Sequence, residues 1–389
     1  MNKLWFASLA AATAIAAPSF AQAQDTVRIG IALSQTGNLA DSATHYWRGV
    51  ELWRDEVNAR GGLLGKKVEF VVYDDRSDPA TSARLYERLI TNDKVDLLIS
   101  TIGSAQTATA TAVAEKHKRV MINGGGASES IQQRGFKYIF QTAARISAYV
   151  DGIDPLMKKY NVKSMAFVAR DYSAARDMEK VVKGMAQKNG VEMVMDEYFP
   201  SGNVDFSSQI ARARQSKPDL WVSVGYPNEA IEMTRQFRAS NYMPKIFVHN
   251  GVAQEDYIKA AGKDAEGAIG MSLYEPSLKT AGNAEFVKNF SGRYHYEPGY
   301  YSSFGYTAVS VLEAAVKKAG SFDQEKLRNV LTTLKMDTIM GKHEVDPKTG
   351  MQLGIRGLLV QVQDGKREIV WPEELKTADA KLPLAAAAR

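Results

Sequence analysis

The run Leu97-Leu98-Ile99 gives way to Ser100-Thr101-Ile102-Gly103-Ser104, and a Thr/Ala-rich segment follows to Ala114. One piece of chemistry fits such a junction. If the apolar run is a parallel strand and the small-residue segment a helix, the junction lies at the strand's carboxyl edge. Open α/β sheets bind ligands there. A helix starting near Ser104 to Thr107 directs its first N–H groups outward, where they attract an anion, and the Ser104 hydroxyl adds a directional donor. Small neighbours such as Ala105 leave a carboxylate room to reach the backbone. A plain helix cap with a small-residue packing face needs the same Ser104 and Thr107, so the residues alone support both readings.

Other chemistry is poorly supported. Gly124-Gly125-Gly126 follows a strand and lets backbone N–H groups approach a ligand closely, or simply forms a flexible loop. It lacks the spacing and the later acidic residue of a dinucleotide fingerprint. Asn58 to Lys67 resembles a phosphate loop only superficially: the glycine spacing is wrong, Lys67 sits where a hydroxyl is needed, and a helix precedes a strand. The five histidines are not paired at helical ligand spacing, so no metal site is expected. There is no G-x-S-x-G elbow and no cysteine nucleophile. No catalytic residue and no cofactor are expected, and the protein reads as a non-enzyme.

The elements around these residues alternate. Strand patterns at 27–32, 68–73 and 95–99 are separated by helix patterns at 46–59 and 79–92. The rhythm restarts after Thr142, with strand patterns at 164–168, 192–195, 219–224 and 245–248 between helices. Two α/β halves of about 120 residues each follow. Helix patterns at 284–294, 304–319 and 323–334, then strands at 357–362 and 368–371, read as segments returning to complete both halves. Acidic and basic residues are interspersed at a net charge of +5, which gives nucleic acid no basic tract to bind.

The first residues read as a secretory signal. Lys3 precedes the apolar core Leu4 to Ala17, and Ala21-Gln22-Ala23 is an A-x-A cleavage site. The core is too short for a membrane anchor. With no cysteine there is no disulfide and no N-terminal lipid attachment. The periplasm is the expected location, with the protein free in solution and monomeric.

Several ordered motifs across the mature chain resemble the periplasmic leucine/isoleucine/valine-binding proteins, the type I solute-binding components of ABC importers. They are Thr36-Gly37-Asn38-Leu39-Ala40 with Arg48-Gly49, Asn58-Ala59-Arg60-Gly61-Gly62, Asp74-Asp75-Arg76-Ser77-Asp78-Pro79, Arg134-Gly135-Phe136, Asp171-Tyr172, Gly225-Tyr226 and Ile339-Met340-Gly341. The resemblance implies an α/β fold of two lobes, each a mainly parallel sheet flanked by helices, joined by three crossovers. Residues 26–145 with 274–350 are expected to form the N-lobe. Residues 146–273 with 351–375 form the C-lobe, 1–23 the signal peptide and 376–389 a loose tail. A small-molecule ligand and an inner-membrane ABC permease are the implied partners.

The resemblance also implies a site. Ser104 and the Gly125 N–H fall where the family holds a ligand α-carboxylate, Tyr226 on a cleft tyrosine of the second lobe, and Tyr301 on an aromatic of the side-chain pocket. Tyr172 belongs to the same cleft. Elsewhere this chain departs. Asn250 replaces the family's glutamate for the ligand ammonium, and Ile146 replaces an aspartate near the hinge. A register shifted by a few residues would instead bring Glu255 or Asp256 to the cationic position. Ala127, Ser42 and Ala174 replace larger residues and enlarge the cleft. A buried ammonium without a carboxylate costs several kcal/mol. The expectation is therefore a carboxylate-bearing solute without an α-amino group: an aromatic, keto or hydroxy acid. An amino acid, an amide or urea is the alternative within the same fold, and a ligand-sensing subunit for a receptor the alternative role.

Overall fold

The computed structural model describes residues 25–254 and 256–384, so the expected signal segment and Glu255 lie outside the described residues. The first strands are β1 (Thr26–Leu33), β2 (Lys67–Asp74), β3 (Leu97–Ile99), β4 (Met121–Asn123) and β5 (Ile139–Gln141). They form a parallel sheet in the order β2-β1-β3-β4-β5. The next are β6 (Ser164–Arg170), β7 (Glu192–Phe199), β8 (Leu220–Val224), β9 (Ile246–His249) and β10 (Ile269–Ser272). A small hairpin, β11 (Met336–Thr338) and β12 (Gly341–His343), precedes β13 (Leu358–Gln363) and β14 (Lys366–Trp371). The second sheet runs β14-β13-β10-β9-β8-β6-β7, parallel from β6 to β10 and antiparallel at β13 and β14.

Both sheets are built on one plan. Strand order reverses direction between β1 and β3 in the first and between β6 and β8 in the second. Such reversals open a crevice at the strands' carboxyl ends, because the flanking helices leave toward opposite faces. The loops after these four strands contain Thr36–Leu39, Ser100–Gly103, Asp171–Tyr172 and Gly225–Tyr226.

The chain passes between lobes three times: after β5, after β10 and before β13. Between the second and third passages, helices Asn283–Tyr294 and Tyr300–Ala319 return to the first lobe. Asn289 Nδ2 donates to Glu56 Oε1 at 2.8 Å, and Trp53 Nε1 to Glu313 Oε2 at 2.7 Å. Helices Ala40–Ala59 and Tyr300–Ala319 touch backbone to backbone. A Cβ on Gly49 would stand 2.0 Å from the Ser302 carbonyl oxygen, and one on Gly305 2.0 Å from that of Tyr46.

The tail departs from expectation. Residues 376–384 are tied to the second lobe, not loose. Leu384 N donates to the Lys245 carbonyl at 2.8 Å, Lys381 N to Gln361 Oε1 at 2.8 Å, and Gln363 Nε2 to the Asp379 carbonyl at 2.8 Å. Ala380 and Leu382 pack on the core. The Ala/Lys composition hid these few anchors.

Gly305→Ala should destabilise the protein by about 1–3 kcal/mol through overpacking at the helix contact. Gly184→Ala, in a helix position with nothing within 4 Å of the added Cβ, should be neutral or stabilising. Thermal unfolding of both variants checks this, and a harmless Gly305→Ala would refute the contact.

Candidate functional site

Facing carboxyl ends of the two sheets enclose a cavity of about 40 Å³, room for a few water molecules. The lobes touch across it, and a solute larger than this space needs side chains or lobes to move. From the first lobe, Gly103, Ser104, Gly125 and Ala127 line the cavity. Tyr172, Ala174, Tyr226 and Asn250 come from the second. Ile146 and Tyr149 contribute from the crossover, and Tyr300, Tyr301 and Phe304 from the returning helix.

Four helices begin at this cavity: Ser104–Lys116, Ser173–Lys188, Pro227–Ala239 and Tyr300–Ala319. Three carry no acidic residue in the first turn. The fourth has Glu229, whose Oε2 accepts from Tyr226 N at 2.8 Å. First-turn N–H groups lack partners within their helices and carry the positive end of the helix dipole. Among the described residues, the lining holds no charged side chain.

Ser104 is the first residue of its helix, after Gly103 at φ 87°. Its Oγ accepts from Ser128 N at 3.2 Å, which leaves its own proton to donate. Small residues follow because the helix is wedged tightly: Thr107 Oγ1 donates to the Thr101 carbonyl at 3.1 Å and Thr109 Oγ1 to that of Pro79 at 2.7 Å. The Gly loop is packed and bonded at both ends. Gly125 bridges Ile102 as a one-residue extension of the sheet, and a Cβ there would meet the Thr101 oxygen at 2.5 Å. Asn123 fixes the loop by accepting from Gly126 N at 2.8 Å and donating to the Gly126 carbonyl at 2.9 Å.

The aromatic wall is larger than the sequence showed. Tyr172, Tyr226 and Tyr301 are joined by Tyr149, Tyr300 and Phe304, which sequence reasoning missed. The signal was there in Tyr300-Tyr301-x-x-Phe304, three aromatics within the first turns of one helix after Pro298-Gly299. Ring centres stand 4.6 Å apart for Tyr300 and Tyr301, and 5.9 Å for Tyr172 and Tyr226. Burial pushes the Tyr226 phenol up to about 12 and raises Tyr149, Tyr172 and Tyr301 strongly, so all stay protonated donors.

Two sequence expectations need correction. Ala105 is exposed and outside the lining, since it stands about 100° around the helix from Ser104. Ser42 is buried but also outside the lining, near the Tyr301 side chain. Asn250 does line the cavity, yet its amide is engaged. Its Oδ1 accepts from Gly225 N at 2.9 Å, and its Nδ2 donates to the Gly225 carbonyl at 2.8 Å. The alternative acid Asp256 lies outside the lining, with Oδ2 2.8 Å from His45 Nε2.

That His45–Asp256 pair crosses between lobes. Asn38 Nδ2 also crosses, donating to Ser201 Oγ at 2.7 Å, as do Ser128 Oγ to Asp177 and Gln254 Nε2 to the Tyr300 hydroxyl. Ser128 therefore links cavity-lining Ser104 to the opposite lobe.

The model of the periplasmic binding protein family matches residues 26–366. The chain belongs to that family. An amino acid binding protein of Pseudomonas aeruginosa is 26% identical over 330 residues, covering 84% of this chain and 88% of the relative. The Leu/Ile/Val-binding protein of Escherichia coli is 24% identical, covering 91% and 96%. A solute-binding protein of an ABC transporter from R. palustris, solved with benzoate, superposes at a TM-score of 0.81 with 23% identity, covering 89% of this chain and 95% of that one. Among the described residues of this binding protein, no cluster of three or more His, Asp or Glu could hold a metal ion.

Two buried histidines give a pH dependence. Burial lowers His249, beside Asn250, to about 3 and His343 to about 4. Both are neutral when folded and protonate when unfolded, so stability falls as pH drops below about 6.5, the unfolded value. Between pH 7 and pH 5 each should cost about 2 kcal/mol. Urea unfolding of wild type and His343→Gln checks the sign. The variant should lose about half of this histidine contribution, and identical pH profiles would refute it.

Proposed function

We propose that the protein is the periplasmic solute-capturing component of an ABC importer. It is exported by cleavage after Ala23, closes its lobes over a small carboxylate-bearing solute and delivers it to an inner-membrane permease. The solute we favour is an aromatic, keto or hydroxy acid. One observation carries this reading: four helix N-termini meet at a cavity whose lining has six aromatic side chains and no charged one. A carboxylate there meets Ser104, backbone N–H groups and positive helix ends. An ammonium meets no counter-charge, and Asn250 is already engaged with Gly225. The R. palustris protein solved with benzoate supports the view that this fold accommodates an aromatic acid. The P. aeruginosa and E. coli relatives favour the second reading, an amino acid ligand.

Calorimetric titration decides between them. Aromatic, keto and hydroxy acids should bind, and leucine and valine poorly; tight leucine binding would overturn the favoured ligand class. Ser104→Ala should weaken binding of the acid by about 1–3 kcal/mol, the cost of losing a hydrogen bond to a charged group. Unchanged affinity would remove Ser104 from the site.

A further inference from the structure

Arg170 and Glu229 form an ion pair, Nη1 to Oε1 at 3.3 Å, with 8% and 4% of their surfaces exposed. Neither lines the cavity. A buried pair of this kind is weak support for stability, because desolvation offsets much of the attraction. Its placement points elsewhere. The Arg170 guanidinium carbon lies 4.9 Å from the centre of the Tyr226 ring. Glu229 holds both partners, accepting from Arg170 through Oε1 and from Tyr226 N through Oε2. Arg170 Nη2 donates to Ser201 Oγ, the atom that also accepts from Asn38 across the lobe boundary. Tyr226 thus stands between a fixed cation and the cavity. The cation is anchored within the second lobe by Glu229 on one side and Ser201 on the other, and Ser201 also meets Asn38 of the first lobe.

We propose that Arg170 is a positioning residue that makes the site select aromatic over aliphatic ligands. A cation on one face of a ring draws π density toward itself. The cavity side of Tyr226 then carries less negative charge, which favours stacking with an electron-rich ring. An aliphatic ligand gains nothing from this polarisation. The Arg170, Glu229 and Ser201 contacts all lie within the second lobe, so the ring is held there independently of Asn38. The proposal rests on the cavity assigned above, and it concerns the ring of the ligand, not its charged end.

The test is the Arg170→Met/Glu229→Gln double variant, which removes both charges together and keeps an acceptor for Tyr226 N. Benzoate, isovalerate, phenylalanine and leucine are titrated into wild type and variant by calorimetry. The aromatic member of whichever pair binds should lose up to roughly tenfold in affinity, the upper range of an aromatic–aromatic contact, while its aliphatic partner changes less than twofold. Asn38→Ala, which leaves Arg170 and Glu229 in place, should weaken both members in parallel through closure. If the double variant fails to fold by thermal unfolding, Arg170→Lys serves instead. It keeps the charge but loses the planar stacking, and should lose part of the preference. An unchanged aromatic-to-aliphatic ratio, or an equal loss on both, overturns the role of Arg170. If wild type binds only phenylalanine and leucine, the acid reading fails while their ratio still decides Arg170. Binding of none of the four overturns the role of Arg170 as an aromatic selector, while keto and hydroxy acids still test the acid reading.

Discussion

The rest of the cleft depends on the electrostatics of helix ends. In each lobe a parallel sheet reverses strand order, so the helices following its strands begin at the same edge. Closing the lobes brings the two edges together, and four helix N-termini converge on one small volume. Each brings roughly half a positive charge. Water screens this field while the lobes are open, and its exclusion on closure strengthens it. A cavity of that kind needs either acidic side chains or an anion from solution. The only acid in these first turns, Glu229, is directed to Tyr226 N and to Arg170. What is left unbalanced faces the cavity.

The contacts between lobes and the cavity share residues, so on the proposed reading binding and lobe position are one equilibrium. Ile146 lines the cavity, and its N–H donates to the Ala127 carbonyl at 2.9 Å at the crossover itself. Ser104 is joined to Asp177 of the opposite lobe through Ser128. Rim contacts such as Asn38–Ser201 and His45–Asp256 lie in more exposed surroundings, where each polar pair contributes little. Several weak contacts suit the reopening that the proposed function requires. The cavity groups then decide whether closure is worthwhile, because their N–H donors are desolvated whether or not an anion meets them.

Much of this was legible in the sequence, and what escaped had physical causes. Alternating strand and helix periods give the two lobes, and a strand ending in Ser-Thr-x-Gly-Ser marks the edge where Ser104 sits. Gly125 was legible as a close approach, though toward Ile102 and Thr101 as well as any ligand. Ala105 was misplaced because sequence proximity to Ser104 says nothing of which way a helix has turned. Tyr149 and Tyr300 were missed because a buried aromatic pattern reads as core whether or not a cavity adjoins it. Arg170 and Glu229 lie 59 residues apart, and nothing local pairs them. The docked tail escaped because its anchors are backbone groups and isolated leucines, which leave no period to detect.

Asn250 shows how a substitution can do more than delete a charge. Its amide closes a two-bond ring with the Gly225 peptide, as Asn123 does with Gly126 in the other lobe. In each lobe an asparagine at or just past a strand end shapes a glycine loop at the cavity. An amide does this well because it offers a donor and an acceptor side by side, whereas a carboxylate offers only acceptors. The position that the family resemblance assigns to the ligand ammonium's counter-charge is here taken into the architecture of the loop. Restoring an acid would therefore do two opposed things. It would supply the missing charge, and it would break the donor contact to the Gly225 carbonyl, leaving a carbonyl and a carboxylate facing each other. Neutrality at this position is thus coupled to the loop, because the Asn250 amide that carries no charge also makes the two bonds that shape the Gly225 turn.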